Sequence, residues 1–241
     1  MINTLNAPDL ILHIANKNYS SWSLRPWVLM KHLNIEFQER MHLFAPSDAE
    51  MASNYSAFRG FSPTGKVPCL QIGQQAVWDS LSIIEFLAER FTGVWPSDGA
   101  ARAWARSAAA EMHSGFSPLR STCPMHCGYR VQLNEISNSL QADLNRLDEL
   151  WQEGLKTFGG PFLAGSNFTA VDAFFAPVAF RIQSYGLKLS ERSMQYVGRV
   201  LTLDALQTWY QQALLETSVD PAHDKAALLH GQLVQDLRSK V

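Results

Sequence analysis

Three serines and an arginine stand close together near the start of the chain, in the stretch N-Y-S-S-W-S-L-R-P-W at positions 18–27. Ser20 and Ser21 directly precede apolar residues with helical spacing, which is typical of residues that begin a helix. The first backbone N–H groups of a helix lack an intrahelical acceptor and carry partial positive charge. Hydroxyls at this place can stabilise an anion such as a thiolate, so both serines are candidate catalytic residues.

A second motif, V-W-D-S-L-S-I-I-E-F-L at positions 77–87, predicts another helix start. Ser80 can cap this helix and offer its hydroxyl and N–H to a carboxylate, while Asp79 can pair with an amino group. Both ends of a zwitterion would then be bound. The two motifs together predict the two halves of one site for a small acidic thiol.

The elements around these motifs alternate between strand and helix. Pro26 favours the first turn of the first helix, because its missing N–H would have no acceptor there. Gly73 and Gln74 separate two short apolar runs and predict a hairpin. We expect strands at 10–14, 37–44, 67–72 and 75–78.

A turn-rich stretch, T-G-V-W-P-S-D-G, follows at positions 92–99, and strand patterns largely stop after it. This predicts an α+β protein of two domains: residues 1–92, a linker at 93–100, and an all-helical domain at 101–241. The clearest helical patterns of the second domain lie at 101–113, 137–155, 170–185 and 203–215.

The composition of the chain bears on its partners and on its cellular location. The 241 residues carry 20 basic and 22 acidic side chains, a net charge of −2, and these are mixed along the chain. The chain has no cluster of basic residues of the kind that binds nucleic acid or an anionic membrane, so we expect neither partner. The first residues lack the basic and apolar regions of an export signal, and three cysteines suit a reducing compartment, so we expect a cytoplasmic protein.

The motifs resemble those of the cytosolic glutathione transferases of the serine type, over nearly the whole chain. The shared features are S-S-x-S-x-R near the N-terminus, V-P-x-L, the acidic residue followed by serine, and T-x-x-D in the second half. The first motif is most similar to the zeta-type signature S-S-C-x-x-R, with Trp22 where that signature has cysteine. The resemblance implies a thioredoxin-like βαβαββα domain followed by the helical domain.

The resemblance also implies that Ser20 or Ser21 donates its hydroxyl to the sulfur of glutathione. A hydrogen bond to a charged group contributes about 1.5–3 kcal/mol, which lowers a thiol pKa from about 8.5 by about one to two units. Ser20 stands five residues before Arg25, as in zeta-like enzymes, and Ser21 stands four before it, as in theta-like enzymes. Spacing alone does not decide which serine donates to the sulfur, although Ser20 is preferred.

Other contacts to glutathione follow from the same resemblance. Pro68 corresponds to the family's cis-proline, which leaves the backbone of Val67 free to pair with the cysteinyl unit of glutathione. Lys66 would neutralise the glycyl carboxylate, and Asp79 with Ser80 would bind the γ-glutamyl end. Glutathione is then a co-substrate, no metal is required, and the family's usual homodimer is expected.

The expected function is transfer of glutathione to a small electrophile bound beside the helical domain. A zeta-like, glutathione-dependent cis-trans isomerase of the maleylacetoacetate type is an alternative, although Trp22 departs from that signature. A non-catalytic glutathione-binding module with the same fold is another. Cys123, His126 and Cys127 invite a metal site, but their spacing is unusual and no second cluster completes it.

Overall fold

The computed structural model describes residues 10–44 and 56–238, and the first of these ranges begins the main sheet. Its four strands are β1 (Leu10–Ala15), β2 (Gln38–His42), β3 (Cys69–Ile72) and β4 (Gln75–Trp78), in the order β2-β1-β3-β4. β1 is parallel to β2, whereas β3 is antiparallel to both of its neighbours. This confirms the thioredoxin-like sheet and the hairpin, with Gly73 at a φ of 56°. The resemblance implies a helix between β2 and β3; residues 45–55 of that segment lie outside the described ranges, and residues 56–58 are helical.

The first helix, α1 (Ser21–His32), begins earlier than the sequence predicts. Pro26 is its sixth residue rather than a member of the first turn, so the prediction for Pro26 is wrong. Residues 23–30 are all buried, because α1 lies between the sheet and the second half of the chain. Burial on all sides stabilises the helix despite the hydrogen bond that a mid-helix proline removes.

The second helix, α2 (Ser80–Ala88), is capped by Asp79. The prediction that Ser80 caps it is therefore wrong. The Asp79 side chain accepts a hydrogen bond from the Leu81 N–H at 2.8 Å. Asp79 has a φ of 74°, a left-handed conformation that aspartate tolerates better than most residues. Ser80 becomes the first helical residue and is buried.

The helical second half is confirmed, and the helices at 101–113, 137–155, 170–185 and 203–215 each agree within two residues at both ends. The structure adds a short antiparallel pair of strands, β5 (Tyr129–Leu133) and β6 (Gly231–Asp236), so the second half is not purely helical. No helix in ranges 10–44 and 56–238 is both long and apolar enough to cross a membrane. The helices are α3 (Gly99–Ser114), α4 (Ser117–Thr122), α5 (Asn138–Thr157), α6 (Ala170–Tyr185), α7 (Glu191–Leu201), α8 (Asp204–Leu214) and α9 (Pro221–Ala227).

Helix α6 lies at the centre of the second half and packs against α1. Its start is fixed by the predicted T-x-x-D motif, in which Thr169 and Asp172 form a reciprocal capping box. The buried Asp172 carboxylate accepts hydrogen bonds from Leu163 N–H at 3.0 Å and Tyr196 O–H at 3.1 Å. Burial raises the pKa of Asp172 to about 6. The motif therefore orders the helix that supports α1.

The loop between β1 and α1 is held by the second half of the chain. The Lys17 carbonyl accepts a hydrogen bond from Trp209 Nε1 at 2.9 Å, and the Asn18 carbonyl accepts one from the Cys127 N–H at 3.1 Å. The Lys17 N–H donates to Glu216 Oε1 at 2.5 Å. These bonds fix the backbone immediately before the two candidate serines.

Candidate functional site

A cavity of about 580 Å³ opens between the start of α1 and the helical half. Its wall on the helical side is built from α4, the segment after it, α6 and α9. Its wall on the sheet side consists of Tyr19, Ser20, Ser21, Trp22, Phe44, Phe58, Gly65, Lys66 and Val67. Four of the seven predicted site residues, Ser20, Ser21, Lys66 and Val67, thus line one cavity.

The hydroxyls of the two serines differ in exposure and in hydrogen bonding. Ser20 is the residue before the helix, is 5% exposed, and donates its hydroxyl to Ser23 Oγ at 2.7 Å. Ser23 Oγ in turn accepts from the Ala15 N–H at 3.3 Å. The half-buried Ser21 begins the helix, and its hydroxyl has no hydrogen-bond partner among the described residues. Ser21 can thus turn toward a ligand without breaking a hydrogen bond to a described residue, whereas Ser20 must give up its bond to Ser23.

The segment before β3 supplies the next predicted contacts. The Val67–Pro68 peptide bond is cis, as the resemblance implies. The backbone N–H and C=O of Val67 form no hydrogen bond to another described residue, so both can pair with a ligand. Lys66 is exposed at the cavity mouth, and its carbonyl accepts from the Ser62 hydroxyl at 2.7 Å. Pro68 is buried behind the wall.

Asp79 and Ser80 do not line the main cavity but adjoin it. Arg25 Nη1 lies 3.3 Å from Ser80 Oγ, and the Arg25 guanidinium stacks 4.1 Å from the centre of the Trp22 ring. Asp79 Oδ2 lies 3.4 Å from His113 Nε2. A ligand that reaches both Ser21 and Ser80 would extend past Trp22, along this side of α1.

Arg25 and Arg120 lie against Trp22, and Arg181 lies near both of these arginines; none of the three forms an ion pair in the described part of the chain. Arg120 stacks 4.6 Å from the centre of the Trp22 ring, and the buried Arg181 donates from Nε to the Cys123 carbonyl at 2.8 Å. Burial, reinforced by the neighbouring arginines, lowers the pKa of Arg25 to about 9 and of Arg181 to about 10. Burial also lowers the pKa of Arg120.

Two of these arginines line the cavity, and sequence reasoning missed both. A buried cation without an anion is costly, so the buried Arg181, with the half-buried Arg120 near it, is suited to an anionic ligand. The sequence does mark Arg181 as unusual, because it is a lone charged residue directly after the apolar run A-F-F-A-P-V-A-F in helix α6. Arg120 gives no comparable signal, because its half-exposed position on α4 is ordinary for arginine.

The last helix, α9, completes the wall with Asp220 and His223, which the sequence also did not single out. Asp220 caps this helix by accepting from the Ala222 and His223 N–H groups at 2.9 and 3.3 Å. Nearby, Tyr19 donates its hydroxyl to Asp224 Oδ1 at 2.9 Å. These contacts attach the C-terminal part of the chain to the loop that carries the serines.

The segment 113–126 contributes Ser117, Arg120, Ser121, Pro124 and Met125 to the lining of the cavity. His126 is buried away from it, where its Nε2 lies 2.9 Å from Asp224 Oδ1. Burial raises the pKa of the Cys123 thiol to about 12 and of the Cys69 thiol to about 11. Within the described ranges, no group of three or more histidine, cysteine or acidic residues could hold a metal ion.

Comparisons with known proteins find matches to both halves of the chain. The family model "Glutathione S-transferase, N-terminal domain" matches residues 19–90, and "Glutathione S-transferase, C-terminal domain" matches residues 130–212. A probable maleylacetoacetate isomerase from Caenorhabditis elegans is 24% identical over 191 residues, which are 75% of this chain and 82% of that protein. The maleylacetoacetate isomerase of Rattus norvegicus is 22% identical over 208 residues, 84% of this chain and 93% of that protein.

A solved structure extends the likeness to three dimensions. It is a glutathione transferase homologue from Burkholderia GL BGR1 with bound glutathione, at a TM-score of 0.63 and 21% sequence identity. The match covers 85% of this chain and 98% of that one. At this identity the match supports the two-domain fold.

Proposed function

The chain belongs to the glutathione S-transferase family, and on that basis we propose that it uses Ser20 or Ser21 to ionise glutathione for attack on a small electrophile. One observation carries the proposal. Two serines at the start of α1 face a cavity of about 580 Å³ that also presents the unpaired backbone of Val67. Sulfur-activating and peptide-pairing groups thus lie on one wall.

The chemistry assigned to these residues is stabilisation of a thiolate. A serine hydroxyl that donates to the sulfur contributes about 1.5–3 kcal/mol to the charged form. The start of α1 adds about 0.3–1 kcal/mol, because its free N–H groups and dipole also favour an anion. Together these effects lower a thiol pKa of about 8.5 by about one to three units and leave much of the bound glutathione ionised at neutral pH.

The remaining predicted residues would hold the rest of glutathione. Val67 pairs with its cysteinyl unit, Lys66 faces its glycyl carboxylate, and Asp79 with Ser80 binds its γ-glutamyl end. The position of Pro68 behind Val67 and the link from Ser80 through Arg25 to Trp22 support this arrangement. No metal is assigned a role.

The experiment is retention on glutathione-agarose together with conjugation of chlorodinitrobenzene. We expect the wild-type protein to be retained and active, and the double variant Ser20→Ala/Ser21→Ala to be retained but slowed by roughly 10- to 100-fold, the loss of 1.5–3 kcal/mol. Ser107→Ala, at an exposed serine of α3, is the matched control and should behave as wild type. Retention without turnover would favour the non-catalytic module, and failure of both would reject glutathione as the ligand.

A second candidate is a zeta-like, glutathione-dependent cis-trans isomerase of a maleyl-type acid. Its support is the likeness to two maleylacetoacetate isomerases and the positions of Arg120 and Arg181, which have no carboxylate partner among the described residues and suit a carboxylate on the acceptor. Thiolate addition and elimination at a double bond would need the same serine. Trp22, at the signature's cysteine position, argues against an identical acceptor pocket.

Homodimer formation and a cytoplasmic location are proposals from the family resemblance. Sedimentation of the purified protein at several concentrations tests the first. A species of twice the chain mass of 27.0 kDa is expected, and a monomer at all concentrations would contradict it.

A further inference from the structure

His223 is the one histidine on the described wall of the cavity. It lies on α9, and its ring stacks on Tyr19 with centres 5.1 Å apart and an angle of 29°. Tyr19 directly precedes Ser20 in the chain. The imidazole therefore lies beside the backbone that places the candidate serines.

The ring of His223 is held on two faces and at one nitrogen. Phe44 stacks on it with centres 4.9 Å apart and an angle of 19°, in addition to Tyr19. Nδ1 lies 2.8 Å from Oδ2 of Asp220, whose side chain is only 4% exposed. With Nδ1 bound to a carboxylate, Nε2 is the nitrogen left to accept a proton. It has no hydrogen-bond partner among the described residues, and 35% of the side chain is exposed.

The helix that carries His223 is itself anchored. Asp224 accepts hydrogen bonds from the hydroxyls of Tyr19 and Tyr129 at 2.9 and 3.0 Å, and it pairs with Arg238 at 2.9 Å. Burial alone would raise the pKa of Asp224, but hydrogen bonds from His126, Tyr19 and Arg238 hold it well below its usual range. An ionised Asp224 thus keeps α9 against the loop before α1.

We propose that His223 is the general base that accepts the thiol proton of bound glutathione at Nε2, with Asp220 as its positioning residue. This inference rests on the proposed function. The S–H bond breaks and its electron pair stays on sulfur, where the serine hydroxyl stabilises it. The proton forms an N–H bond at Nε2, and the Asp220 carboxylate balances the imidazolium. Sulfur then bonds to the electrophilic carbon while the leaving group departs with its electron pair, and the imidazolium releases its proton to water or to the leaving group.

The charged and titratable surroundings of His223 come from several elements. Its own helix contributes Asp220 and Asp224, and the loop before α1 contributes Tyr19, whose pKa burial raises to about 12. The same wall of the cavity carries the cations Arg120 and Arg181, and the sheet-side wall carries Lys66. Asp220 is thus the carboxylate in direct contact with the ring, which is the arrangement that orients a catalytic imidazole.

The test is the variant His223→Asn, whose amide can still donate to Asp220 but has no basic nitrogen facing the cavity. His230→Asn, at an exposed histidine just beyond α9, is the matched control. Turnover of chlorodinitrobenzene is measured against pH, with glutathione affinity and thermal unfolding measured on the same samples. At one pH unit below the pKa of the bound thiol, where only about a tenth of it is ionised, we expect kcat/KM to fall by roughly 10-fold, with glutathione affinity unchanged. The deficit should vanish as the pH rises above the pKa of the bound thiol, because the serine hydroxyl and the helix start then suffice to keep the thiolate.

Chemical rescue adds a second measurement that does not depend on the asparagine variant folding well. Free imidazole should restore turnover to His223→Ala in a saturable manner, because the space between Tyr19 and Phe44 is shaped for that ring. Unchanged kcat/KM, a deficit that is the same at every pH, or a rescue that does not occur would each overturn the proposal. The wild-type turnover tests the proposed function, whereas only the ratio of variant to wild type tests His223.

Discussion

Replacing Arg181 with methionine should stabilise the protein and weaken its binding of anionic acceptors. Arg181 is 4% exposed, and the described structure gives its guanidinium one hydrogen bond, to the Cys123 carbonyl, and no carboxylate. Methionine has a similar length and no charge. The variant Arg181→Met therefore removes a buried cation while it largely fills the same space.

The magnitude follows from the shift in the pKa of Arg181. Burial lowers this pKa from 12.5 to about 10, so the cation destabilises the folded state at every pH below about 10. At about 1.4 kcal/mol per pKa unit, the penalty is on the order of 3 kcal/mol as an upper bound. Loss of the bond to Cys123 leaves a buried carbonyl unpaired and costs about 1–3 kcal/mol. The net gain should be about 1 kcal/mol, which raises Tm by about 2–4 °C.

The assay is thermal unfolding at neutral pH, with and without saturating maleate as the anionic probe. The ligand-free variant should unfold at a higher temperature than wild type, and the increase in Tm that maleate gives wild type should be lost. Arg146→Met is the matched control, because Arg146 is partly exposed and paired with Glu111 at 2.7 Å. Its replacement should give no stabilisation and leave the maleate effect intact.

A less stable Arg181→Met with an unaltered response to maleate would refute this reasoning. Arg181 would then be a structural residue whose main task is to hold the Cys123 carbonyl. An equal gain in Tm for Arg146→Met would also refute it, since the effect would reflect overall charge rather than a buried cation.

Three further predictions follow from the same structure. Lys66→Ala should raise the KM for glutathione several-fold with little change in kcat, whereas Lys31→Ala, at an exposed lysine late in α1, should change neither. Asp79→Asn should weaken glutathione binding but keep α2 capped, because asparagine is also a good cap; a matching loss in Tm would contradict the binding role. Asp172→Ala should destabilise the fold by about 1–3 kcal/mol, because the donors of Leu163, Thr169 and Tyr196 lose their acceptor. An unchanged Tm would contradict the role given to the capping box.

Patterns local in sequence predicted much of the fold and part of the site. Serines before an apolar helical run, Gly73 between two short strands, and T-x-x-D before α6 each act over a few residues, so their type and spacing suffice. Ser20 and Ser21 were identified in this way. Pro26 was misplaced because the burial of α1 on all sides overrides the usual preference of proline for a first turn.

The rest depends on contacts between distant parts of the chain. Strands β5 and β6 pair across about a hundred residues and show no pattern that marks either as a strand by itself. Arg120, Arg181 and His223 meet on one cavity wall although they come from three different helices. Only the packing of these helices shows that two arginines lack anionic partners and that one histidine is held by an aspartate.

The acidity of the bound glutathione thiol tests the central claim most directly. Ultraviolet titration of the thiolate in the wild-type complex should give a pKa about one to three units below the free value of about 8.5. In the complex of Ser20→Ala/Ser21→Ala, the pKa of the thiol should return most of the way to the value of free glutathione. A thiol pKa that is the same in both complexes would contradict activation of glutathione by a serine hydroxyl.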